Sequence, residues 1–364
     1  MRRLIYIFII GLLLCSYTWA DGSRYASNSL LSEGKWVKIR VDKTGIYKLS
    51  YADLKNMGFS DPSKVSVHGY GGWPLDEDFS KEYIDDVPST PVWRGSDYLL
   101  FYGKGPVKWE YDSSSQTFVH TNNPYSLYGY YFVTDATPTN DMTSVAQASG
   151  ASTRITTYDD YLLHEQELVS VNQSGREFFG EDFSGARPRT ISTFSSIPGI
   201  TDADGKVTMR FISRINSGSG TASLSINDSE LLDITIPSIQ TVSSNVRSYT
   251  KAIPGTTTAL WKGSKSEKNN VVVSYSSSGH TNVRLDYIRM QFVRTLRPYG
   301  ACTFFRSLTS VGNASRFVIS EANSNTLVFD VTDALNVKRV EADLNGSELS
   351  FTIPAGRLRE FVLV

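Results

Sequence analysis

Cysteine is scarce in this sequence, which has two cysteines among 364 residues. Cys15 lies near the N-terminal apolar run, so a chain cleaved after that run keeps only Cys302 and cannot form an internal disulfide. Packing must therefore supply the stability that cross-links would otherwise give. The 20 tyrosines, 18 phenylalanines and 6 tryptophans provide ample aromatic surface for such a core.

An excess of charge of either sign is also missing. Lysine and arginine number 36 against 37 acidic residues, and charged residues make up 20% of the chain. A protein that binds nucleic acid needs a basic patch or stripe, so this balance argues against nucleic acid as a partner. The sequence also contains no phosphate-binding loop, dinucleotide fingerprint or zinc-ligand spacing.

Long hydrophobic runs are confined to the N-terminus. Arg2 and Arg3 precede an apolar run at residues 4–14, which has the length of a signal-peptide core and is too short to span a bilayer. The small residue Ala20 marks the predicted cleavage site. We therefore expect a signal peptide at 1–20 and export by the Sec pathway, with a retained membrane anchor as the alternative.

Alternation of apolar and polar side chains dominates the next part of the chain. Residues 35–41 (KWVKIRV) are typical of a half-buried strand, and a returning strand and a short helix follow, with Ser50 as the predicted N-cap. Residues 97–102 (DYLLFY) and 128–134 (YGYYFVT) are predicted to be further strands. These elements predict a β-rich N-terminal domain at 21–150.

A polar stretch of small residues at 135–157 is predicted to be a linker or long loop. From 158–300, short strands separated by Ser, Gly and Asn turns predict a jelly-roll-like β-sandwich. Residues 301–364 predict further strands, with a hairpin turn at Asn345-Gly346. The expected fold class is mainly β: a β-rich N-terminal domain followed by a jelly-roll-like β-sandwich.

Several stretches, in this order along the chain, together resemble the N-terminal region of the sortases of bacterial type IX secretion, which are gingipain-type cysteine peptidases. They are GKWVKIRVDKTGIYKLSYADLKNMGF (34–59), VHGYGGWPLDED (67–78), DYLLFYGKGPVKW (97–109), NNPYSLYGYYFVT (122–134), REFFGEDF (176–183), RLDYIRM (284–290) and FDVTDALNVKRV (329–340). The resemblance covers nearly all of the predicted mature chain.

The resemblance implies a cellular setting and a chemistry. Members of this family are exported, act at the outer-membrane surface of Bacteroidetes and remove C-terminal sorting domains from secreted cargo. Their chemistry lies in a caspase-like domain with a Cys–His dyad, which follows the region that this sequence resembles. The sequence ends about where that peptidase domain is expected, so we carry over no catalytic residue and expect a longer parent protein.

We therefore expect a non-catalytic region that scaffolds or docks at the cell surface, on the extracellular side of the outer membrane, and that is inactive alone. The expected partners are outer-membrane components of type IX secretion and the C-terminal sorting domains of cargo. The alternative is a stand-alone cell-surface module that binds glycans or proteins.

A cysteine peptidase within this chain itself depends on Cys302, because a thiolate nucleophile needs an imidazole nearby. The chain has four histidines, namely His68, His120, His164 and His280. Cys302 lies in the strand-like stretch ACTFF, where a free cysteine usually packs as a small buried hydrophobe. Packing is the favoured interpretation and catalysis is the alternative.

Two further sets of residues are candidates for binding. Asp202, Asp204 and Gly205 resemble part of a calcium loop, but a turn between strands explains them better; a structural calcium ion is left open and no other cofactor is expected. Trp73 and Trp93 lie in loops rich in Gly and Pro, where an aromatic ring can anchor a ligand or partner. These two tryptophans are the predicted binding residues.

Overall fold

The computed structural model describes residues 26–78, 80–81, 84–171, 175–185, 187–215, 218–239, 252–277 and 281–364. The predicted signal peptide lies outside these ranges. Within them the chain is mainly β, as predicted, and no helix has the length and hydrophobicity that a bilayer crossing requires. Short 3-10 helices lie at Leu30–Ser32, Pro62–Lys64, Ser192–Phe194 and Leu308–Ser310.

Two small antiparallel sheets, a hairpin and a helix make up the described N-terminal region. The elements are β1 Val37–Val41, β2 Gly45–Ser50, α1 Tyr51–Asn56, β3 Ser66–His68, β4 Ser89–Thr90, β5 Val92–Arg94, β6 Tyr98–Gly103, β7 Val107–Asp112, β8 Thr117–Asn122 and β9 Gly129–Thr134. One sheet has the order β1-β9-β3-β4 and the other β2-β6-β5, while β7 and β8 form the hairpin.

Helix α1 begins where the sequence predicts. The Ser50 hydroxyl accepts a hydrogen bond from the Asp53 backbone N–H at 3.0 Å, which satisfies one of the free amides of the first turn. Leu54 is fully buried on the inner face. Gly58, with a φ of 89°, follows the last turn and adopts the left-handed conformation that ends many helices.

Strand β6 is buried on both faces, which explains its nearly unbroken apolar sequence. Leu99 and Phe101 pack into the core of the N-terminal region. Leu100 and Tyr102 point to the opposite side and pack with a second cluster that includes Phe329 from the C-terminal part of the chain. One strand therefore joins the N-terminal region to the C-terminal strands.

Residues 135–157 differ in part from the predicted linker. They contain β10 (Ser144–Val145) and β11 (Thr153–Ile155). β10 pairs in parallel with β23 (Lys338–Val340), and β11 pairs in parallel with β21 (Ser315–Ile319). Because this pairing uses backbone groups over two or three residues, it leaves no alternating pattern in the sequence. The segment thus forms the edge of two C-terminal sheets.

The middle of the chain is a jelly roll, as predicted. Its strands are β12 Thr157–Glu165, β13 Arg189–Thr190, β14 Gly205–Ile215, β15 Ser219–Ile226, β16 Ser229–Pro237, β17 Ile253–Trp261, β18 Val271–Ser277 and β19 Thr281–Thr295. The front sheet has the order β12-β19-β14-β17 and the back sheet β13-β18-β15-β16, which is the jelly-roll order. Inward-facing side chains of both sheets share one core, including Met209, Phe211, Leu224, Val273 and Ile288.

The C-terminal part completes two further sheets. Its remaining strands are β20 Thr303–Phe305, β22 Val328–Asp330, β24 Asp343–Asn345, β25 Glu348–Ile353 and β26 Phe361–Leu363. The sheets have the orders β10-β23-β22-β26-β20 and β11-β21-β25-β24. The predicted Asn345-Gly346 turn joins β24 to β25, and Gly346 has the positive φ of 61° that such a turn requires.

The β7–β8 hairpin lies on the outer face of the front jelly-roll sheet. The side-chain amide of Gln291 accepts a hydrogen bond from the Phe118 N–H at 2.8 Å and donates one to the Phe118 carbonyl at 3.2 Å. Trp109 stacks on Tyr161 with ring centroids 3.9 Å apart. The N-terminal region therefore contacts both the jelly roll and the C-terminal strands, and the predicted domain boundaries stay predictions.

Candidate binding cleft

A cleft of about 460 Å³ lies where the three regions meet. Asp42 and Trp73 line it from the N-terminal region, Asp160 from strand β12, and Arg306 and Glu360 from the C-terminal part. Because no region builds this cleft alone, its shape depends on how the three regions pack against each other.

The floor of the cleft is an ion pair between the buried Arg306 and Glu360, whose side chain is 27% exposed. Arg306 is only 1% exposed, and its Nε donates to Glu360 Oε2 at 2.5 Å while its Nη2 donates to Glu360 Oε1. Its Nη1 donates to the Asp159 carbonyl oxygen at 2.8 Å. Burial raises the pKa of Glu360, although the Arg306 guanidinium opposes that rise. One guanidinium therefore ties β12 to the residue that precedes β26.

A second ion pair lies beside the first. Arg294 Nη1 donates to Asp160 Oδ2 at 2.8 Å, and Asp160 Oδ1 is 3.8 Å from Arg306 Nη1. The Tyr158 hydroxyl also donates to Asp160, at 3.3 Å. Burial raises the pKa of Tyr158, so its hydroxyl stays protonated and remains a donor. Two guanidinium groups thus face two carboxylates, and the floor carries no large excess of either charge.

The wall of the cleft is aromatic. Trp109 and Tyr161 form the stacked pair described above, and the Arg306 guanidinium carbon lies 4.3 Å from the centre of the Tyr161 ring. Trp73 also lines the cleft, and its indole N–H is buried without a hydrogen-bond partner among the described residues. A buried donor of this kind favours an acceptor brought by a ligand or partner.

Lys104 sits behind Trp73 and is 4% exposed. Its ammonium nitrogen is 3.8 Å from the centre of the Tyr70 ring and 5.0 Å from that of the Trp73 ring. Burial, with a smaller contribution from Lys108, lowers the pKa of Lys104 to about 8. These cation–π contacts hold Trp73 against the protein body and fix the orientation of its ring.

The two predicted binding tryptophans lie in different surroundings. Trp73 lines the cleft. Trp93 packs beside Tyr98, with ring centroids 5.8 Å apart, in the cluster that joins β6 to the C-terminal strands. The structure therefore does not bring both rings to one site, and binding by either residue stays a prediction.

Cys302 also lines the cleft and is partly buried. Its Sγ lies 4.0 Å from the carbonyl oxygen of Ile46, and no hydrogen bond or ion pair joins it to a histidine in the part of the chain that the structure describes. His280 lies outside the described residues. The other histidines contact different groups. His68 lies within hydrogen-bond distance of the Thr137 hydroxyl, while His120 and His164 lie beside the carboxylates of Glu165 and Glu181 respectively.

The segment suggested as part of a calcium loop is the turn that leads into β14. Asp202 Oδ1 accepts a hydrogen bond from the Lys265 backbone N–H at 2.8 Å, and Gly205 is the first residue of the strand. No group of three His, Cys, Asp or Glu side chains within the described ranges is arranged to hold a metal ion. Calcium binding stays a prediction without a ligand set.

Sequence reasoning missed the residues that form the floor. Arg306 directly follows β20, and Glu360 directly precedes β26, so both looked like ordinary polar residues at strand ends. A charged residue beside an apolar strand was the one available signal. It could not identify the partner, because the two residues are far apart in sequence.

Comparison with known proteins finds a strong similarity to a solved structure. A crystal structure of dimeric latent PorU from Porphyromonas gingivalis shares 32% sequence identity with this chain at a TM-score of 0.82, over 94% of this chain and 33% of that one. The chain therefore spans about a third of the length of that protein. The similarity confirms that this chain is a PorU-like N-terminal region, as the sequence blocks indicated.

Two further solved structures are only weakly similar to this chain. A carbohydrate binding module from Cellvibrio mixtus lichenase 5A has 12% identity and a TM-score of 0.19 over 40% of this chain and 92% of the module. CBM35 from Cellvibrio japonicus Abf62 has 14% identity and a TM-score of 0.19 over 37% of this chain and 97% of that one. Neither score supports a conclusion about function. No protein-family model and no curated protein matches the chain.

Proposed function

We propose that this PorU-like chain is the non-catalytic scaffold of a type IX secretion sortase that is exported by Sec and displayed at the outer-membrane surface. The similarity to PorU over 94% of the chain carries this proposal. In it, a gingipain-type peptidase domain elsewhere in the parent protein removes C-terminal sorting domains from cargo, and the region described above supports that domain.

The way in which the three regions are joined suits a scaffold. Strand β6 contributes to two hydrophobic clusters, and the β7–β8 hairpin is bound to the front sheet of the jelly roll. Arg306, which pairs with Glu360, also donates to the Asp159 carbonyl of β12 and so links the C-terminal strands to the jelly roll. Connections on several sides restrict relative motion, which is what a support for another domain requires.

The cleft is the proposed docking place for a partner of this scaffold. Its aromatic wall and the unpartnered indole N–H of Trp73 favour a partner that presents an apolar group beside a hydrogen-bond acceptor. The proposed partners are an outer-membrane component of type IX secretion or the sorting domain of a cargo protein. A stand-alone binding module is less favoured, because the similarity to PorU extends well beyond the sandwich.

A chimera tests the proposal. The matching third of Porphyromonas gingivalis PorU is replaced by this chain, and removal of the sorting domain from secreted cargo is followed in cells that lack their own PorU. We expect processing to continue, and to be unchanged by Cys302→Ala within the inserted region. A chimera that reaches the surface but fails to process cargo contradicts the proposal, and so does loss of processing on Cys302→Ala.

A further inference from the structure

A second groove, of about 510 Å³, lies near the cleft and shares Pro106 and Val107 with its lining. We call it the acidic groove. One wall is the loop 123–127 that follows β8, and the other is formed by the end of β12 together with Phe178. No part of the proposed scaffold role requires this groove, so an inference about it stands apart from that proposal.

The rim of the acidic groove is apolar and exposed. Tyr125 is 77% exposed and Leu127 is 68% exposed, and both line the groove. Asn123 holds their loop in place, because its side chain donates to the Gly72 carbonyl at 2.8 Å and accepts from the Tyr125 N–H at 2.9 Å. Ser126 donates to the Tyr128 carbonyl at 2.9 Å. Two large apolar side chains are therefore presented to solvent by a fixed loop, which is typical of a contact surface.

Carboxylates line the groove on the β12 side. The Glu165 side chain is 10% exposed, and its Oε2 has no hydrogen-bond partner of adequate geometry among the described residues, although His120 Nε2 lies 3.1 Å away. Glu167 accepts a hydrogen bond from the side-chain amide of Asn122 at 2.9 Å. The Asn122 Oδ1 is also buried without a donor in the part of the chain described. The groove thus holds two neighbouring carboxylates, one of them beside His120, and one amide oxygen without a donor within the described ranges.

Negative charge accumulates here. Burial raises the pKa of Glu167, and the neighbouring Glu165 adds to that rise while Asn122 opposes it. Arg176 also lines the groove, and its guanidinium contacts Glu77 at 2.6 Å. Arg210, the next cation along the sheet, pairs with Asp286. Glu165 therefore adds to the cost of ionising Glu167, and a cation that enters the groove relieves that cost.

We propose that the acidic groove is a docking site for an extended segment of a partner protein that carries a lysine or arginine beside a large apolar residue. The cation contacts Glu165 and Glu167, and the apolar side chain packs on Tyr125 and Leu127. Complementary charge fixes the position of the segment, and the exposed apolar rim supplies buried area. An acidic segment is repelled by the two carboxylates and does not fit.

The test uses random peptides displayed on phage, selected against the full purified chain after removal of the signal peptide. We expect selected sequences to share a lysine or arginine next to a large apolar residue. A synthetic peptide of the shared sequence is then measured by fluorescence polarisation against the wild type, Glu167→Gln and Leu127→Ser. We expect each variant to weaken binding about tenfold or more, and binding to weaken as salt rises.

Matched controls separate the groove from the general surface. Glu348→Gln changes an exposed carboxylate on β25 that does not line the groove, and is expected to leave the affinity unchanged. The synthetic peptide with glutamine in place of its basic residue is expected to lose binding. Selection without a shared basic residue, or binding that neither Glu167→Gln nor Leu127→Ser weakens, overturns the proposal. Because Glu167 and Leu127 are exposed, the circular dichroism spectra of Glu167→Gln and Leu127→Ser are expected to match that of the wild type.

Discussion

Removing the guanidinium from the cleft floor is expected to destabilise the protein strongly. In Arg306→Met, Glu360 loses both of its charge-assisted hydrogen bonds and the Asp159 carbonyl loses a donor. Breaking a buried ion pair by removing one partner costs about 3–5 kcal/mol, and because the Glu360 side chain is 27% exposed we expect the lower end of that range. We expect a loss of that size in the free energy of unfolding at pH 7, measured by urea titration with tryptophan fluorescence.

Two further variants make this prediction decisive. The double variant Arg306→Met/Glu360→Met removes both charges and is expected to recover most of the loss, since apolar replacements of a buried pair are often neutral. Arg297→Met breaks the exposed pair with Glu321, whose nitrogen and oxygen are 2.7 Å apart, and is expected to cost less than about 1 kcal/mol. If Arg306→Met costs no more than Arg297→Met, or if the double variant is as unstable as the single one, the buried pair does not have the assigned role.

Three other predictions concern the core and buried charges. Leu100 lies on the face of β6 that packs against the C-terminal strands, and Leu100→Ala is expected to lower the free energy of unfolding by about 2–5 kcal/mol in urea. Leu344→Ala, at an exposed position, is expected to lower it by under about 1 kcal/mol. Burial raises the pKa of Asp286 from 3.8 to about 6, so native stability falls by roughly 2 kcal/mol as pH rises from 4 to 6; unfolding of Asp286→Asn across that range is expected to lack this decrease. Burial lowers the pKa of Lys104 to about 8, so stability attributable to Lys104 rises between pH 8 and 10.5. The free energy of unfolding of Lys104→Met is expected not to rise over this pH range, and a rise in that variant contradicts the lowered pKa of Lys104.

Local patterns predicted much of this fold. Alternation identified β14, β15, β16, β18 and β19 of the jelly roll but not β12, β13 or β17. Ser50 identified the start of α1 and Asn345-Gly346 identified a hairpin, because each depends on neighbours in sequence. The two parallel ladders of residues 135–157 left no such pattern, since a ladder of two or three residues involves backbone groups alone.

The candidate site was predictable only in part. Trp73 could be selected because an aromatic residue in a loop rich in Gly and Pro is unusual. Arg306 and Glu360 could not be selected, because only the packing of distant segments buries Arg306 and brings Glu360 against it. For the same reason the apolar run of β6 predicted a buried strand but not that its second face contacts Phe329.

The central claim is that the N-terminal region, the jelly roll and the C-terminal strands form one body, as a scaffold requires. Native-state hydrogen exchange resolved by residue tests it most directly. The account predicts that amides of β6 and β26 exchange with opening free energies within about 1 kcal/mol of those in β14 and β19. Opening of β6 and β26 at free energies lower by more than about 3 kcal/mol, while the jelly roll stays protected, contradicts the account.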